Sequence, residues 1–150
     1  ATIAAPGPFS AFAGVDRRIM LLDGDGMQLR ARDGSLDHRL DRCWQPLAFA
    51  GEVAVDCTLL GGTSTDFNLM LRRGRWRGEV QVVRDPRQPG STPVGLCLVL
   101  AGRWSRGDDR LTAGQGLWWS AAEAGPALVP QAGQGGDAPA LAWVELRPVI

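Results

Sequence analysis

Lysine and tyrosine are absent from this chain, histidine occurs once, at His38, and no apolar run approaches the length of a membrane span. Each absence removes a class of function. Without lysine, the glycine-rich phosphate loop that ends in Lys-Ser or Lys-Thr cannot be built. With one imidazole, a metal centre of several histidines on neighbouring strands is excluded. A Ser-His-Asp or Cys-His arrangement would have to use His38, and no serine stands in a Gly-x-Ser-x-Gly turn. His38 itself lies in the charged stretch Ser35-Leu36-Asp37-His38-Arg39-Leu40-Asp41-Arg42 and reads as a solvated residue.

The charge balance is equally restrictive. Sixteen basic residues, all arginine, meet sixteen acidic ones, so the formal net charge is zero with a pI near 6.8. No basic field gathers phosphates, and nucleic acid is not an expected partner. Cys43, Cys57 and Cys97 are odd in number and scattered, and read as buried free thiols in a reducing compartment. With no spanning segment and no signal-like start, a soluble, cytoplasmic protein is expected.

What is present is β-like punctuation. Gly24-Asp25-Gly26, Asp33-Gly34, Gly61-Gly62 and Gly114-Gln115-Gly116 separate short apolar runs, and turns come too often for helices. Arg18 to Leu22 and Met27 to Arg32 flank a Gly-Asp-Gly turn and read as a hairpin with one wet face. Further strands are expected at Pro46–Phe49, Val53–Leu60, Phe67–Arg72, Glu79–Val83, Gly95–Ala101, Gly116–Trp119 and Leu141–Arg147. Many short strands indicate an all-β sandwich or barrel. The breaker-rich Asp85 to Pro93 reads as a linker, and Ala121 to Pro139 as a mobile loop. Around that linker Ile19-Met20-Leu21-Leu22-Asp23-Gly24 echoes Leu98-Val99-Leu100-Ala101-Gly102, as a duplicated barrel would.

Three places can carry chemistry. On a strand through Thr65–Gly74, Asp66, Asn68, Met70 and Arg72 share one face, and Phe67, Leu69 and Leu71 the other. That polar face is either ordinary wet surface or the mouth of a pocket walled by Met70 and Phe49. The adjacent Arg17 and Arg18 open a strand and point to opposite faces. An inward guanidinium requires an internal carboxylate such as Asp66 or an anionic ligand. The six tryptophans, five of them from Gly74 onward, read first as core and second as a ring platform.

The segments Gly7-Pro8-Phe9-Ser10, Phe12-x-Gly14-x-Asp16-Arg17, Leu47-Ala48-Phe49-Ala50-Gly51-Glu52, Leu60-Gly61-Gly62 and Asp66-Phe67-Asn68-Leu69-Met70 together resemble the HutD/Ves family. The resemblance runs the full chain and is best between Gly7 and Gly74. It implies a bicupin, two cupin-like β-barrels in one compact unit: residues 1–84 the first, 85–94 a linker, 95–150 the second. It also implies no metal or other cofactor, and a modulating role in bacterial histidine utilisation. The implied ligand is a small anionic metabolite of the urocanate or formyl- or formimino-glutamate type, with Arg17 as anion anchor. The family usually carries an additional segment before the equivalent of Ala1, so this chain reads as entering partway along a strand.

The expected ligand site is therefore Arg17, Phe49, Asp66, Asn68, Met70 and Arg72, with no catalytic residue assigned. Two rival readings stand beside it. One is a metal-independent enzyme acting on a small carboxylate, with Asp66 or Glu52 as a base whose pKa burial has raised. The other is a protein-interaction module with no small ligand. Pairing of two chains is left open.

Overall fold

A computed structural model describes residues 1–120, 125–132, 136 and 138–150, and divides into two compact units, Ala1–Arg75 and Trp76–Ile150. The described residues form strands and turns and no helix, so none is long and apolar enough to cross a membrane.

The first unit holds β1 (Thr2–Ile3), β2 (Gly7–Pro8), β3 (Val15–Asp23), β4 (Met27–Ala31), β5 (Asp37–Leu40), β6 (Leu47–Ala50), β7 (Val55–Leu59) and β8 (Ser64–Arg72). They make two antiparallel sheets, in the orders β1-β8-β3-β6 and β2-β7-β4-β5. Alternation along each strand turns Ile19 and Leu21 of one sheet, and Met27, Leu29, Leu40, Val55 and Cys57 of the other, into one shared core. The Arg18–Leu22 and Met27–Arg32 segments are strands but not a hairpin: β3 pairs with β6 and β8, whereas β4 pairs with β5 and β7. The Gly24-Asp25-Gly26 turn is instead the corner where the chain changes sheet. Both glycines are left-handed, with φ of 98° and 91°, and a Cβ on Gly26 would lie 2.2 Å from the Leu40 carbonyl oxygen.

The second unit holds β9 (Trp76–Val83), β10 (Val94–Ala101), β11 (Arg103–Arg106), β12 (Asp109–Thr112), β13 (Gly116–Trp119), β14 (Leu128–Gln131) and β15 (Ala140–Pro148). Its sheets run β13-β10-β15-β9 and β12-β11-β14. The core is more aromatic: Trp104, Trp119 and Trp143 pack with Val83, Cys97, Val99, Leu128 and Leu141. The order β13-β10-β15-β9 repeats β6-β3-β8-β1 strand for strand, and β12-β11-β14 repeats β5-β4-β7. An isolated bridge from Arg87 to Leu128 stands where β2 pairs with β7 in the first unit. Even the irregularities correspond, since β3·β8 slips between Leu21 and Asp23 and β10·β15 between Val99 and Ala101. The sequence echo between Ile19–Gly24 and Leu98–Gly102 therefore has a structural counterpart.

Several expectations change. Each half is cupin-like but consists of two separate sheets rather than one closed barrel. The division falls after Arg75, not in residues 85–94, because β9 pairs along its length with β15. The 85–94 segment belongs to the second unit and buries Thr92. Within Ala121–Pro139, read as a loop, Leu128–Gln131 is a strand with Leu128 in the core; residues 121–124, 133–135 and 137 lie outside the described residues. Cys57 and Cys97 are buried thiols, but Cys43 is exposed, because it lies in the turn after β5 rather than in an apolar strand. His38 is half-buried on β5, opposite Leu29, rather than fully solvated.

In the second unit the Trp119 ring occupies the space beside Gly95, where a Cβ would lie 2.0 Å from a ring carbon, and its Nε1 donates to the Thr92 carbonyl at 2.9 Å. Gly95→Ala is expected to displace the ring and cost about 1–3 kcal/mol in urea unfolding, with a changed near-UV tryptophan signal. Gly7→Ala, with nothing within 4 Å of the new methyl, is expected to stay within about 0.5 kcal/mol of the parent.

Candidate functional site: a roofed arginine in the first unit

Register decides what meets inside the first unit. Arg17 on β3 stands opposite Phe49 on β6 and Met70 on β8, Ile19 opposite Asn68, and Leu21 opposite Asp66. Directly opposed residues share a face, so Arg17 lies on the same face as the core residues Ile19 and Leu21. Of the two adjacent arginines, Arg17 is thus the inward one, only 4% exposed.

Its guanidinium is roofed by aromatic rings. The carbon Cζ lies 4.9 Å from the Phe49 centroid, 5.3 Å from that of Phe9 and 5.7 Å from that of Phe12. Phe49 comes from β6, and the other two from the segment between β2 and β3. That segment is tied down by Phe9 N–H donating to the Val55 carbonyl at 2.8 Å and Phe12 N–H to the Gly51 carbonyl at 2.7 Å. Gly51 permits the approach: a Cβ there would lie 2.8 Å from the carbonyl oxygens of both Phe12 and Val15.

The polar contacts leave the fork incompletely used. Nε donates to Asn68 Oδ1 at 3.4 Å and Nη1 to the Ser10 carbonyl at 3.3 Å, while Nη2 donates to no described residue. No carboxylate of the described residues lies within ion-pairing distance. Burial pulls the guanidinium below its ordinary pKa, and the field of Asp66 partly opposes this. It stays cationic all the same.

Asp66 is the counterpart, 3% exposed, with neither carboxylate oxygen hydrogen-bonded among the described residues. Burial raises its pKa, and the charge of Arg17 only partly offsets that. Glu52 differs. It accepts from Arg73 at 2.6 and 2.9 Å, while Arg73 also donates to Asp16 at 2.8 Å. Arg73 holds the Glu52 carboxyl down at about 2, so Glu52 has the opposite of the raised pKa expected of a buried base.

Of the expected site residues, Arg17, Phe49 and Asn68 are in contact, and Asp66 acts on Arg17 through its field. Met70 shares the Arg17 rung but is 43% exposed, and Arg72 is exposed opposite Val15 at the strand end. Phe9, Ser10 and Phe12 complete the roof, though they were not among the expected ligand residues. Their signal was the Gly7–Ser10 and Phe12–Arg17 segments themselves, which carry family character without belonging to a long strand.

An all-β protein of two cupin-like halves, one of which encloses an aromatic-roofed arginine, is the class these observations define. The model of the HutD family matches residues 1–136, and the chain belongs to that family. It is similar to Protein Ves of Cronobacter sakazakii, 42% identical over 120 residues that cover 79% of this chain and 65% of the relative. It is also similar to Protein Ves of Citrobacter koseri, 40% identical over 120 residues, 79% of this chain and 62% of the relative. The chain thus spans slightly less than two thirds of the curated relatives it matches. Among solved structures, HutD from Pseudomonas fluorescens SBW25 superposes with a TM-score of 0.78 at 26% identity, covering 98% of this chain and 76% of that one. A conserved protein of unknown function from Pseudomonas aeruginosa PAO1 gives 0.76 at 29% identity, covering 99% and 80%.

The raised pKa of Asp66 has a sign that can be checked. The folded state holds this proton more tightly than the unfolded chain, so the group's contribution falls as pH rises from the unfolded to the folded value and is flat above it. Asp66→Asn is therefore expected to melt above the parent at neutral pH, with a gap that narrows as pH falls from the raised folded-state pKa to the ordinary carboxylate value. Parallel melting curves for the two proteins across that range would contradict the assignment.

Proposed function

We propose that the first unit binds a small anionic metabolite, whose carboxylate takes the unused Nη2 side of Arg17. Membership of the HutD family supports a role linked to histidine utilisation in general, and a compound of the urocanate or formyl- or formimino-glutamate type is the ligand proposed. The observation that carries the reading is the incompletely used guanidinium: a buried, desolvated cation with aromatic faces above it and no carboxylate paired to it. A ligand carboxylate supplies the charge-assisted hydrogen bonds that the protein leaves unmade. Asn68 orients Nε, Phe49 and the two neighbouring rings exclude water, and Met70 and Arg72 stand further out along β8. On this reading the protein modulates pathway output by sensing a metabolite and needs no cofactor.

Thermal-shift titration with urocanate, formylglutamate and formiminoglutamate tests this. A true ligand at a hundredfold excess over Kd stabilises by about 2.7 kcal/mol, a rise in Tm of roughly 5–10 °C for a domain of this size. Arg17→Met, which keeps apolar bulk under the rings, is expected to abolish the shift while remaining folded. Absence of any shift with all three compounds at millimolar concentration would refute the proposal.

One observation favours a second reading. Asp66 is a buried carboxyl of raised pKa on the same face as Arg17, which suits a general acid or base acting on a carboxylate substrate. Turnover of one of those compounds, lost in Asp66→Asn while binding survives, would establish it.

A further inference from the structure

The repeated strand order lets the two units be compared rung by rung. Aligning the matching slips places Val99 at the position of Leu21, Cys97 at Ile19, and Gly95 at Arg17. Across the neighbouring strands Trp119 stands where Phe49 does, and Glu145 where Met70 does. The larger sheet of the second unit thus has no inward arginine at the equivalent rung, and the Trp119 ring fills that space.

The smaller sheet supplies two instead. Leu128, the first residue of β14, stands opposite Arg106 on β11 and is bridged on its other side to Arg87. Both backbone hydrogen bonds between Arg87 and Leu128 are made, at 2.9 and 2.7 Å. Residues directly opposed across a ladder share a face. Leu128 is fully buried in the core, so the side chains of Arg87 and Arg106 start on the core face, one on each side of it. In the first unit the same rung, at the first residue of β7, reads Ala31, Val55 and Phe9. A methyl and a ring there become two guanidiniums here.

Neither guanidinium is answered by the protein. Each arginine is half-buried, each Nε is buried without a hydrogen-bond partner, and neither side chain is ion-paired with a described residue. The charge of Arg106 reaches the Cys97 thiol on β10, and that of Arg87 reaches Glu145 on β15. Glu145 is engaged elsewhere: it accepts from Ser91 Oγ at 2.6 Å and from Trp143 Nε1 at 3.2 Å, and Arg147 Nη2 lies 3.7 Å from its Oε2. Asp109, opposite Arg106 on β12, is exposed and makes no ion pair with it. The backbone passes close over the pair. Gly125 has no Cβ to collide with Arg106 Nη2, and the Gln88 amide, next in the chain to Arg87, donates to the Gly125 carbonyl. Two partly desolvated cations on one core face carry a cost that the apolar rung of the first unit does not.

We propose that Arg87 and Arg106 form an anion site of the second unit, built for a small dicarboxylate with one carboxylate on each guanidinium. The two residues stand two strand spacings apart, about 10 Å at the backbone, with the Leu128 side chain between them. A monocarboxylate answers one fork and leaves the other bare. Two carboxylates joined by a few methylenes answer both and lay the methylenes over Leu128. A compact dianion such as phosphate, held between the forks, is instead set over that apolar side chain. The site does not rest on the Arg17 reading, since it uses other residues in another unit.

The test is calorimetric titration of the full chain with succinate, glutarate and adipate taken singly, against the monocarboxylates of equal chain length and inorganic phosphate. At least one dicarboxylate is expected to bind saturably, with its monocarboxylate counterpart and phosphate weaker by about tenfold or more. Arg87→Met and Arg106→Met, which keep apolar bulk beside Leu128, are each expected to weaken that binding by a similar factor. Their near-UV tryptophan signal and melting midpoint are expected to match the parent without ligand. Arg17→Met is expected to leave the dicarboxylate affinity unchanged, which separates this site from that of the first unit. No saturable binding of any dicarboxylate to the folded protein, equal binding of the monocarboxylate or of phosphate, undiminished affinity in Arg87→Met or Arg106→Met, or loss of binding in Arg17→Met would each overturn the proposal.

Discussion

The pairing of β3 with β8 is the constraint on which the first unit depends. Side chains on a strand alternate between two faces, so this register alone puts Ile19 and Leu21 into the shared core and carries Arg17 in with them. A slip by one residue would expose the core set and turn the guanidinium outward. The apolar residues therefore hold the arginine where its solvation is poorest. Burial of Leu29, Val55 and Leu21 supplies the free energy, on the order of 1.5–3 kcal/mol for each large side chain, against which the desolvation of one cation is set. The rings of Phe9, Phe12 and Phe49 recover part of that cost through their electron-rich faces, without supplying the directed acceptors a carboxylate would.

Much of the fold was legible from alternation and turns. The strands at Gly95–Ala101, Gly116–Trp119 and Leu141–Arg147 were visible because apolar runs flanked by glycine or proline have few other uses. What the residues did not disclose was which strands pair. Gly24-Asp25-Gly26 satisfies the local chemistry of a hairpin, yet it turns a corner between sheets, because the interior demands that both flanking strands face one core from opposite sides. The fate of β9 was hidden for the same reason. The strand before it belongs to the first unit, but its hydrogen bonds run to β15, far along the sequence. Short strands such as Asp37–Leu40 and Leu128–Gln131 were lost among charged or proline-containing residues, where the alternating signal is too brief to read.

The candidate site was legible in a comparable proportion. That one of Arg17 and Arg18 must face inward follows from strand geometry alone, and so does the shared face of Asp66, Asn68, Met70 and Arg72. The depth of that face could not be read, for it runs from buried Asp66 to exposed Arg72 within one strand. Nor could the pairing of Glu52 with Arg73, because ion pairs between strand ends depend on how three segments converge. The consequence is chemical: two carboxylates that look equivalent on paper are shifted in opposite directions, Glu52 held low by Arg73 and Asp66 pushed up by burial.

The two units show what a repeated topology does and does not conserve. Strand order, corner glycines and the slip after the central rung recur, because these are set by the need to fold two sheets over one core. The residues on the rungs do not recur. At one and the same position the first unit carries a buried arginine and the second a glycine filled by Trp119, and opposite it stands a thioether in one and a carboxylate in the other. Exchanging a fixed cation for an indole removes the reason for an anion to enter at that rung. The scaffold tolerates the exchange because the core residues stay apolar and buried, Leu21 and Leu29 in one unit and Val99 and Leu141 in the other.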